Sequence, residues 1–305
     1  MNATDRVVAI VVTYNPEINV LVRLLNTIEG QVDSVVVVDN SPGKEMRRLL
    51  EYRRKSGEFL ITSDSNIGVA AAHNVGIEWA RRNGKTHVVL FDQDSIPGRD
   101  MISHLLFAMR KLNAQGNKVA AVGPAYQDLR NVGRPCFTKV NGLCVDNIHC
   151  RSLDEIVESD ILISSGSLIS LQTLEKVGGP LNKLFIDQID MEWCFRARAL
   201  GYSLFGCCNA ILHHSLGEEP KDFFGRKFIH QNPLRHYYIF RNAVWLLFKK
   251  YVPIGWKFLF IRMIIARFFI YSLFVSPRLS YLKMMALGML HGLSEKLGKF
   301  EPKGN

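Results

Sequence analysis

Three uninterrupted apolar runs constrain this chain more than any other feature: Arg6–Thr13 (RVVAIVVT), Val35–Val38 and Val88–Phe91 (VVLF). A run that is apolar at every position makes a strand buried on both faces, and such strands belong to sheets covered by helices on each side. The intervening segments supply the helices. Pro16 to Gly30 places Ile18, Leu21, Val22, Leu25 and Ile28 at helical spacing, and Gly68–Asn83 reads as a helix stopped at Gly84. With Phe59–Thr62 as a further strand, the βαβα rhythm predicts an α/β fold: a Rossmann-like, mostly parallel sheet with helices on both faces. Residues 125–160 read as an irregular excursion over one face, and Ile161–Ser170 as a strand. Asp190–Leu200 reads as a helix with Ile189, Trp193, Ala197 and Leu200 on its apolar face, and Ser203–Leu212 as a strand leading to His213 and His214.

Sheets of this kind bind ligands at the carboxyl ends of their strands. The polar residues gather there: Asn15 after the first strand, Asp39-Asn40 after the second, Asp64 and Asn66 after the third, Asp92 and Asp94 after the fourth. Asp and Asn favour loops and caps for conformational reasons alone, but four successive strand ends of this composition point to a polar ligand. No G-x-G-x-x-G follows the first strand, which disfavours a dinucleotide fold, and there is no G-x-S-x-G nucleophile elbow. Gly84-Lys85-Thr86 imitates the end of a phosphate-binding loop but closes a helix instead of opening one.

Two acidic clusters carry the chemistry. Asp92-Gln93-Asp94 puts two carboxylates on a turn at a strand end, the oxygen donors that Mg²⁺ or Mn²⁺ takes together with substrate phosphates. A metal there would stabilise a departing diphosphate. The second cluster is Asp187-Gln188-Ile189-Asp190-Met191-Glu192. Asp187 is expected to cap the helix, and Asp190 to sit in its first turn, where the macrodipole keeps a carboxylate ionised and fit to act as a general base. His213 or His214 completes a metal site or meets a phosphate oxygen, although a lone histidine is more often structural.

The succession TYNP, VVVVDNS, SNIGVAAAHNVGI, VVLFDQDS, SGSLIS, FIDQIDMEWCFRARALGY and HHSLG resembles the family 2 inverting glycosyltransferases of the GT-A fold, over roughly residues 6–217. FIDQIDMEWCFRARALGY, HHSLGE and RHYYIFRN are most similar to bacterial rhamnosyltransferases that build O-antigen or related polysaccharides. The resemblance implies a nucleotide-sugar site made by Thr13, Asn15, Asp39, Asp64, Asn66, Gly68, Asp92, Gln93 and Arg241, with Asp94 and His214 holding Mg²⁺ or Mn²⁺. It implies Asp190 as the catalytic base. Ile189 precedes it where the family carries an acid, so Asp190 is expected to act without a like-charged neighbour. The implied donor is dTDP-L-rhamnose, and the implied acceptor a glycan or lipid-linked sugar. Other nucleotide sugars (hexose or galactofuranose), a sugar nucleotidylyltransferase and an inactive nucleotide-sugar binder remain alternatives. The nucleotidylyltransferase expects a Gly-rich basic loop after the first strand, which TYNPEI is not.

The charge places the rest of the chain. The net charge is +10, but residues 226–305 hold 14 Lys/Arg against Glu295 and Glu301, leaving 24 basic and 26 acidic side chains in residues 1–225. The expected division is therefore a catalytic domain, 1–225, and a basic, apolar helical segment, 226–305, for membrane association or homo-oligomerisation. Lys257, Arg262 and Arg267 recur every five residues, about 140° apart around a helix. They are embedded in Leu, Ile and Phe, with Trp245 and Trp256 nearby, which suits an anionic lipid interface better than nucleic acid. No uncharged stretch there is long enough to span a bilayer. With no export signal evident in MNATDRVVAIVV, the expected location is cytoplasmic, peripheral on the inner membrane, with all six cysteines as reduced thiols.

Overall fold

The computed structural model describes residues 5–42, 57–127, 136–214, 221–223, 226–228 and 232–302, with side chains from 214 to 231 outside the described set. The first apolar run forms β1 (Val7–Thr13), and β2 (Ser34–Asp39) lies beside it; every residue of both is buried. Val7, Ala9 and Val11 face one layer of the core, while Val8, Ile10 and Val12 face the other. Helix α1 (Ile18–Ile28) covers the first face, and α2 (Val69–Arg82) the second. The sheet continues with β3 (Glu58–Thr62), β4 (His87–Asp92) and a short β5 (Ser95–Pro97). Helix α3 (Met101–Ala114) joins α1, and β6 (Val119–Gln127) adds a central strand.

The excursion after β6 is more ordered than its composition suggests. Strands β7 (Cys136–Asn141) and β8 (Cys144–His149) form an antiparallel hairpin around Gly142-Leu143, with Gly142 at φ +58°, and β9 (Ile156–Ser159) enters the main sheet. Phe137 of the hairpin packs where a Cβ on Gly206 would come within 2.2 Å of its ring. Cys150 and Cys208, 58 residues apart, are joined by a disulfide, which corrects the expectation of six thiols. The fold brings their Cα atoms to 5.9 Å, inside the bridging range, and long-range pairing of this kind is not legible from spacing. Cys194 and Cys207 are buried thiols, and Cys136 and Cys144 exposed ones.

The chain then forms β10 (Leu168–Ser170), α4 (Leu171–Val177), α5 (Ile189–Ala199) and β11 (Ser203–His214). Across the sheet the order is β3-β2-β1-β4-β10-β6-β11-β5, with β9 also on β11. Neighbours from β3 to β4 are parallel, but β10 runs antiparallel to both β4 and β6, and β11 is antiparallel to β5 and β9. The sheet is mixed, a correction to the mostly parallel expectation. Only the last three residues of the expected strand 161–170 pair as a named strand, because Gly166 turns at φ +77° and donates its N–H to Leu90 O. Leu200, expected in the core, is 53% exposed just past the end of α5.

After the short β12 (Lys221–Phe223) and β13 (Arg226–Phe228), three helices follow: α6 (Pro233–Leu247), α7 (Ile254–Phe274) and α8 (Arg278–Leu293). Ala243, Trp245 and Leu246 of α6 share a core with Leu184, Ile189 and Phe195. Gly288 and Gly292 let α8 approach so closely that a Cβ would meet the carbonyl oxygens of Tyr237 and Arg241 at 2.5 and 2.6 Å. Helix α7 leaves Ile254, Phe258, Ile261, Ile265, Phe269 and Leu273 exposed, a stripe at helical spacing. Among the described residues no helix is long and apolar enough to cross a membrane.

Gly76 of α2 tests how tightly the helix sits on β1. A Cβ there would lie 2.4 Å from Ile10 Cγ2. Helix propensity favours Ala over Gly by about 1 kcal/mol, whereas overpacking costs about 1–3 kcal/mol. We expect Gly76→Ala to lower the thermal midpoint by several degrees; a rise would show that α2 shifts freely.

Candidate active site

The site is built where β1, β2 and β4 end together. Register pairs Thr13 with Asp39 and Val12 with Asp92, so three strand ends lie side by side. Thr13 Oγ1 donates to Asp39 Oδ1 at 2.8 Å, and the same oxygen receives Ser41 Oγ at 2.6 Å and the Ser41 N–H at 3.1 Å. Asp39 is thus a buried, oriented carboxylate, and Thr13 acts through it. Asn15, exposed with φ +45°, donates its N–H to Ser41 Oγ at 2.8 Å. Asp64 is exposed beyond β3. Asn66 Oδ1 accepts the Gly68 N–H at 2.9 Å, holding the entrance of α2.

Gly68 is required by its surroundings. Its φ is +84°, and a Cβ would meet the Phe185 ring at 2.5 Å and Phe185 O at 2.7 Å. The Val69 N–H donates to the same carbonyl at 2.8 Å. The start of α2 is therefore seated on the segment that leads to Asp190.

The Asp92-Gln93-Asp94 turn separates its three residues by task. The Asp92 N–H donates to Ser165 Oγ at 3.2 Å, and Ser165 Oγ also lies 2.5 Å from Ser95 Oγ. Gln93 grips the Tyr14 backbone, accepting its N–H at 2.7 Å and donating to its carbonyl at 3.3 Å. Asp94 stands half-buried between β4 and β5. Backbone pairing sets His214 opposite Ser95 and His213 opposite Ile96; the His214 side chain lies outside the described residues. The His213 ring is half-buried, with Nδ1 enclosed and making no hydrogen bond among the described residues.

Among the described residues no three His, Cys, Asp or Glu side chains converge as a metal cage. A hard divalent ion does not need one, because it commonly binds through one or two carboxylates and completes its shell with phosphate oxygens and water. The carboxylates of this turn, with the histidine strand beside it, fit that donor chemistry.

Asp190 opens α5. Desolvation raises its carboxyl to about 6, opposed by the Met191 N–H that donates to Oδ1 at 2.9 Å; the negative charges of Asp92 and then Asp187 raise it further. The residue as a whole keeps some accessible surface. Asp190 is among the residues that line a mostly apolar cavity of about 20 Å³, with Leu90, Leu162, Ile189 and Trp193, and with Ser164 and Ser167 as polar walls. One expectation is corrected here: the like charges of Asp92 and Asp187 do act on this carboxyl.

Asp187 is also not the cap. The position before α5 is Gln188, in left-handed conformation and without a side-chain cap bond. Asp187 pairs instead with Arg235, Nη2 to Oδ1 at 3.1 Å and Nε to both oxygens at 3.3 Å. Glu192 points away from the site, fully buried against Arg196 at 2.8 Å and the Tyr251 hydroxyl at 2.9 Å. Arg241, expected to meet the nucleotide, is fully buried and donates to the carbonyls of Lys183, Leu184 and Gly298. That burial corrects its assignment as a donor-binding residue.

Sequence reasoning missed Ser165 and Tyr126. The Tyr126 hydroxyl donates to Ser165 O, and burial, then the charges of Asp92 and Asp190, raise its pKa. The polar interruption in ILISSGSLIS was the available signal for Ser165; Tyr126 had none.

A model of glycosyl transferase family 2 matches residues 8–147. The chain is 32% identical over 294 residues to the dTDP-rhamnosyl transferase RfbF of Shigella flexneri, covering 95% of this chain and 96% of that one. It is 26% identical over 282 residues to the galactofuranosyltransferase GlfT1 of Mycolicibacterium smegmatis, covering 85% and 91%. Among solved structures, that of GalNAc-T7 with UDP, GalNAc and Mn²⁺ superposes with a TM-score of 0.59 at 12% identity. The match covers 93% of this chain but 55% of that longer one, and it shows a shared fold. A strand-end carboxylate cluster, an acid at the head of α5 and relatedness over nearly the whole length agree: the chain belongs to glycosyltransferase family 2.

Proposed function

We propose that this glycosyltransferase moves L-rhamnose from dTDP-L-rhamnose onto a hydroxyl of a glycan or lipid-linked acceptor, with inversion, in cell-surface polysaccharide synthesis of the O-antigen type. The observation that carries the reading is Asp190: a carboxyl at the head of α5, desolvated to a pKa of about 6 beside the Asp92 turn. A base of that strength is ionised at neutral pH yet takes a proton more readily than an exposed aspartate. The relative named as a dTDP-rhamnosyl transferase supports the donor, and the galactofuranosyltransferase supports a second reading in which the sugar is galactofuranose.

In the proposed reaction Asp190 takes the acceptor proton, and the oxygen attacks the anomeric carbon from the face opposite the nucleotide. Asp39 orients the base or ribose, Asp64, Asn66 and Gly68 line the nucleotide pocket, and Asp92 lies beside ribose and diphosphate. Thr13 and Gln93 hold Asp39 and the Tyr14 backbone in place. Asp94, with His214, would hold Mg²⁺ or Mn²⁺, which when bound offsets the charge on the departing diphosphate.

Residues 226–305 give the enzyme its place of work in this reading. The exposed stripe of α7 is flanked by Lys257, Arg262 and Arg267, with Arg278 and Lys283 on α8. Apolar side chains enter the lipid boundary while the cations meet anionic head groups, each contributing about 1 kcal/mol near the surface. The protein would then lie on the cytoplasmic face of the inner membrane, where a lipid-linked acceptor is met.

Asp190→Asn is expected to reduce transfer on the order of 10²–10⁴-fold while nucleotide binding changes little; near-normal turnover would remove the base assignment. In the wild type, kcat/KM should rise with pH through about 6 and level off above it, because only the ionised carboxyl accepts a proton. A raised native pKa also means that stability falls as pH rises from the unfolded value through 6, so Asp190→Asn should melt higher than wild type at pH 8. Assayed over a donor panel, the enzyme should prefer dTDP-L-rhamnose and lose turnover to a chelator, with recovery on adding Mg²⁺ or Mn²⁺. Equal rates with and without chelator would remove the metal, and preference for a UDP-linked sugar would remove rhamnose. In flotation assays the protein should rise with phosphatidylglycerol vesicles and much less with phosphatidylcholine, and Phe258→Asp with Ile265→Asp should abolish this. Loss of a dimer in that variant, without any vesicle binding by wild type, would assign the stripe to self-association.

A further inference from the structure

Arg241 and Asn242 are both fully buried on α6, more than forty residues downstream of the proposed base. Their hydrogen bonds converge on one short segment. Asn242 Nδ2 donates to Leu184 O at 3.1 Å, Ile186 O at 2.8 Å and Asp187 O at 3.0 Å. Arg241 Nη2 donates to Leu184 O at 2.8 Å and Lys183 O at 3.3 Å, and Nη1 to Gly298 O beyond α8. Arg241 Nε, which can only donate, faces Asn242 Oδ1 at 3.0 Å. That contact fixes which way the amide points and turns its NH₂ toward the three carbonyls. The guanidinium also lies 4.9 Å from the Tyr238 ring centre, and Tyr238 stacks on Phe185 at 5.0 Å.

The segment held this way is a strained one. Phe185, Asp187 and Gln188 have φ of +65°, +63° and +55°. Each non-glycine residue in that region costs of order 1–3 kcal/mol and persists only where its surroundings over-determine it. On its other side the same segment carries Gly68 and accepts the Val69 N–H. It ends two residues before Asp190.

We propose that Arg241 and Asn242 are positioning residues for the catalytic base: they hold the backbone of 183–187 in its kinked form and so set where α5 begins and where the Asp190 carboxyl stands. The inference rests on the reading of Asp190 as the base. It gives α6 a part in the chemistry as well as in the docking of the C-terminal helices. Neither side chain touches the donor; each acts through the backbone it holds.

Asn242→Asp keeps size and the contact with Arg241 but puts an oxygen where NH₂ meets three carbonyls. Misplacement of a base by about 1 Å costs on the order of 100-fold. Asn242→Asp should therefore lower kcat by about that factor, with donor KM and dTDP binding within about threefold of wild type, the signature of an interaction made in the transition state alone. Arg241→Lys, which keeps the charge but loses the fork, should show the same split at smaller size and serves if Asn242→Asp does not fold. Hydrogen exchange of the 183–190 amides should accelerate in either variant while that of β1 does not. Unchanged kcat in folded variants, or kcat and KM shifting together, would overturn the positioning role. If Asp190→Asn itself remains active the base reading fails instead, and exchange at 183–190 then decides whether the pair holds the segment at all.

Discussion

A carboxylate kept from water beside other carboxylates is unfavourable, and this site depends on keeping one there. Raising Asp190 from its ordinary value to about 6 corresponds to a cost on the order of 3 kcal/mol at neutral pH. The fold tolerates it because the carboxyl has little freedom to leave. It begins a helix whose Trp193 indole N–H is bound to Gly178 O at 2.8 Å, and whose fully buried Glu192 pairs with Arg196 at 2.8 Å. The kink before it is held from one side by α2 and from the other by α6.

The same arrangement joins the two halves of the reaction. The head of α2 and Asp190, at the head of α5, are linked through Phe185, whose carbonyl accepts the Val69 N–H and whose chain leads on to Asp190. In the proposed reaction the donor loop and the base loop therefore share this support. The Asp92 turn is fixed separately, by Ser165 on the segment that leads into β10 and by Gln93 on the Tyr14 backbone. Substrate would then meet groups that are already oriented, which is where most of the catalytic advantage of such sites lies.

How much of this was legible in the sequence follows from the range of each interaction. The runs at Arg6–Thr13, Val35–Val38 and Val88–Phe91 announced buried strands, and helical spacing located α1 and α2, because local pattern is enough for both. Strand-end acids marked the site for the same reason. The antiparallel entry of β10 was not legible, since three paired residues carry no pattern of their own. Neither was the Cys150–Cys208 bridge, nor the ion pair that Asp187 makes with Arg235. Arg241 shows the limit most clearly. The resemblance set it at the nucleotide sugar, and only the fold shows it buried against backbone carbonyls.

The proposed transfer is a single displacement in which Asp190 serves as base and no protein nucleophile intervenes. The most direct measurement is the anomeric configuration of the first-formed product by proton NMR, with donor of known configuration. Inversion at the transferred sugar is the expected result. Retention would require a covalent or front-face route through another group, and would contradict it.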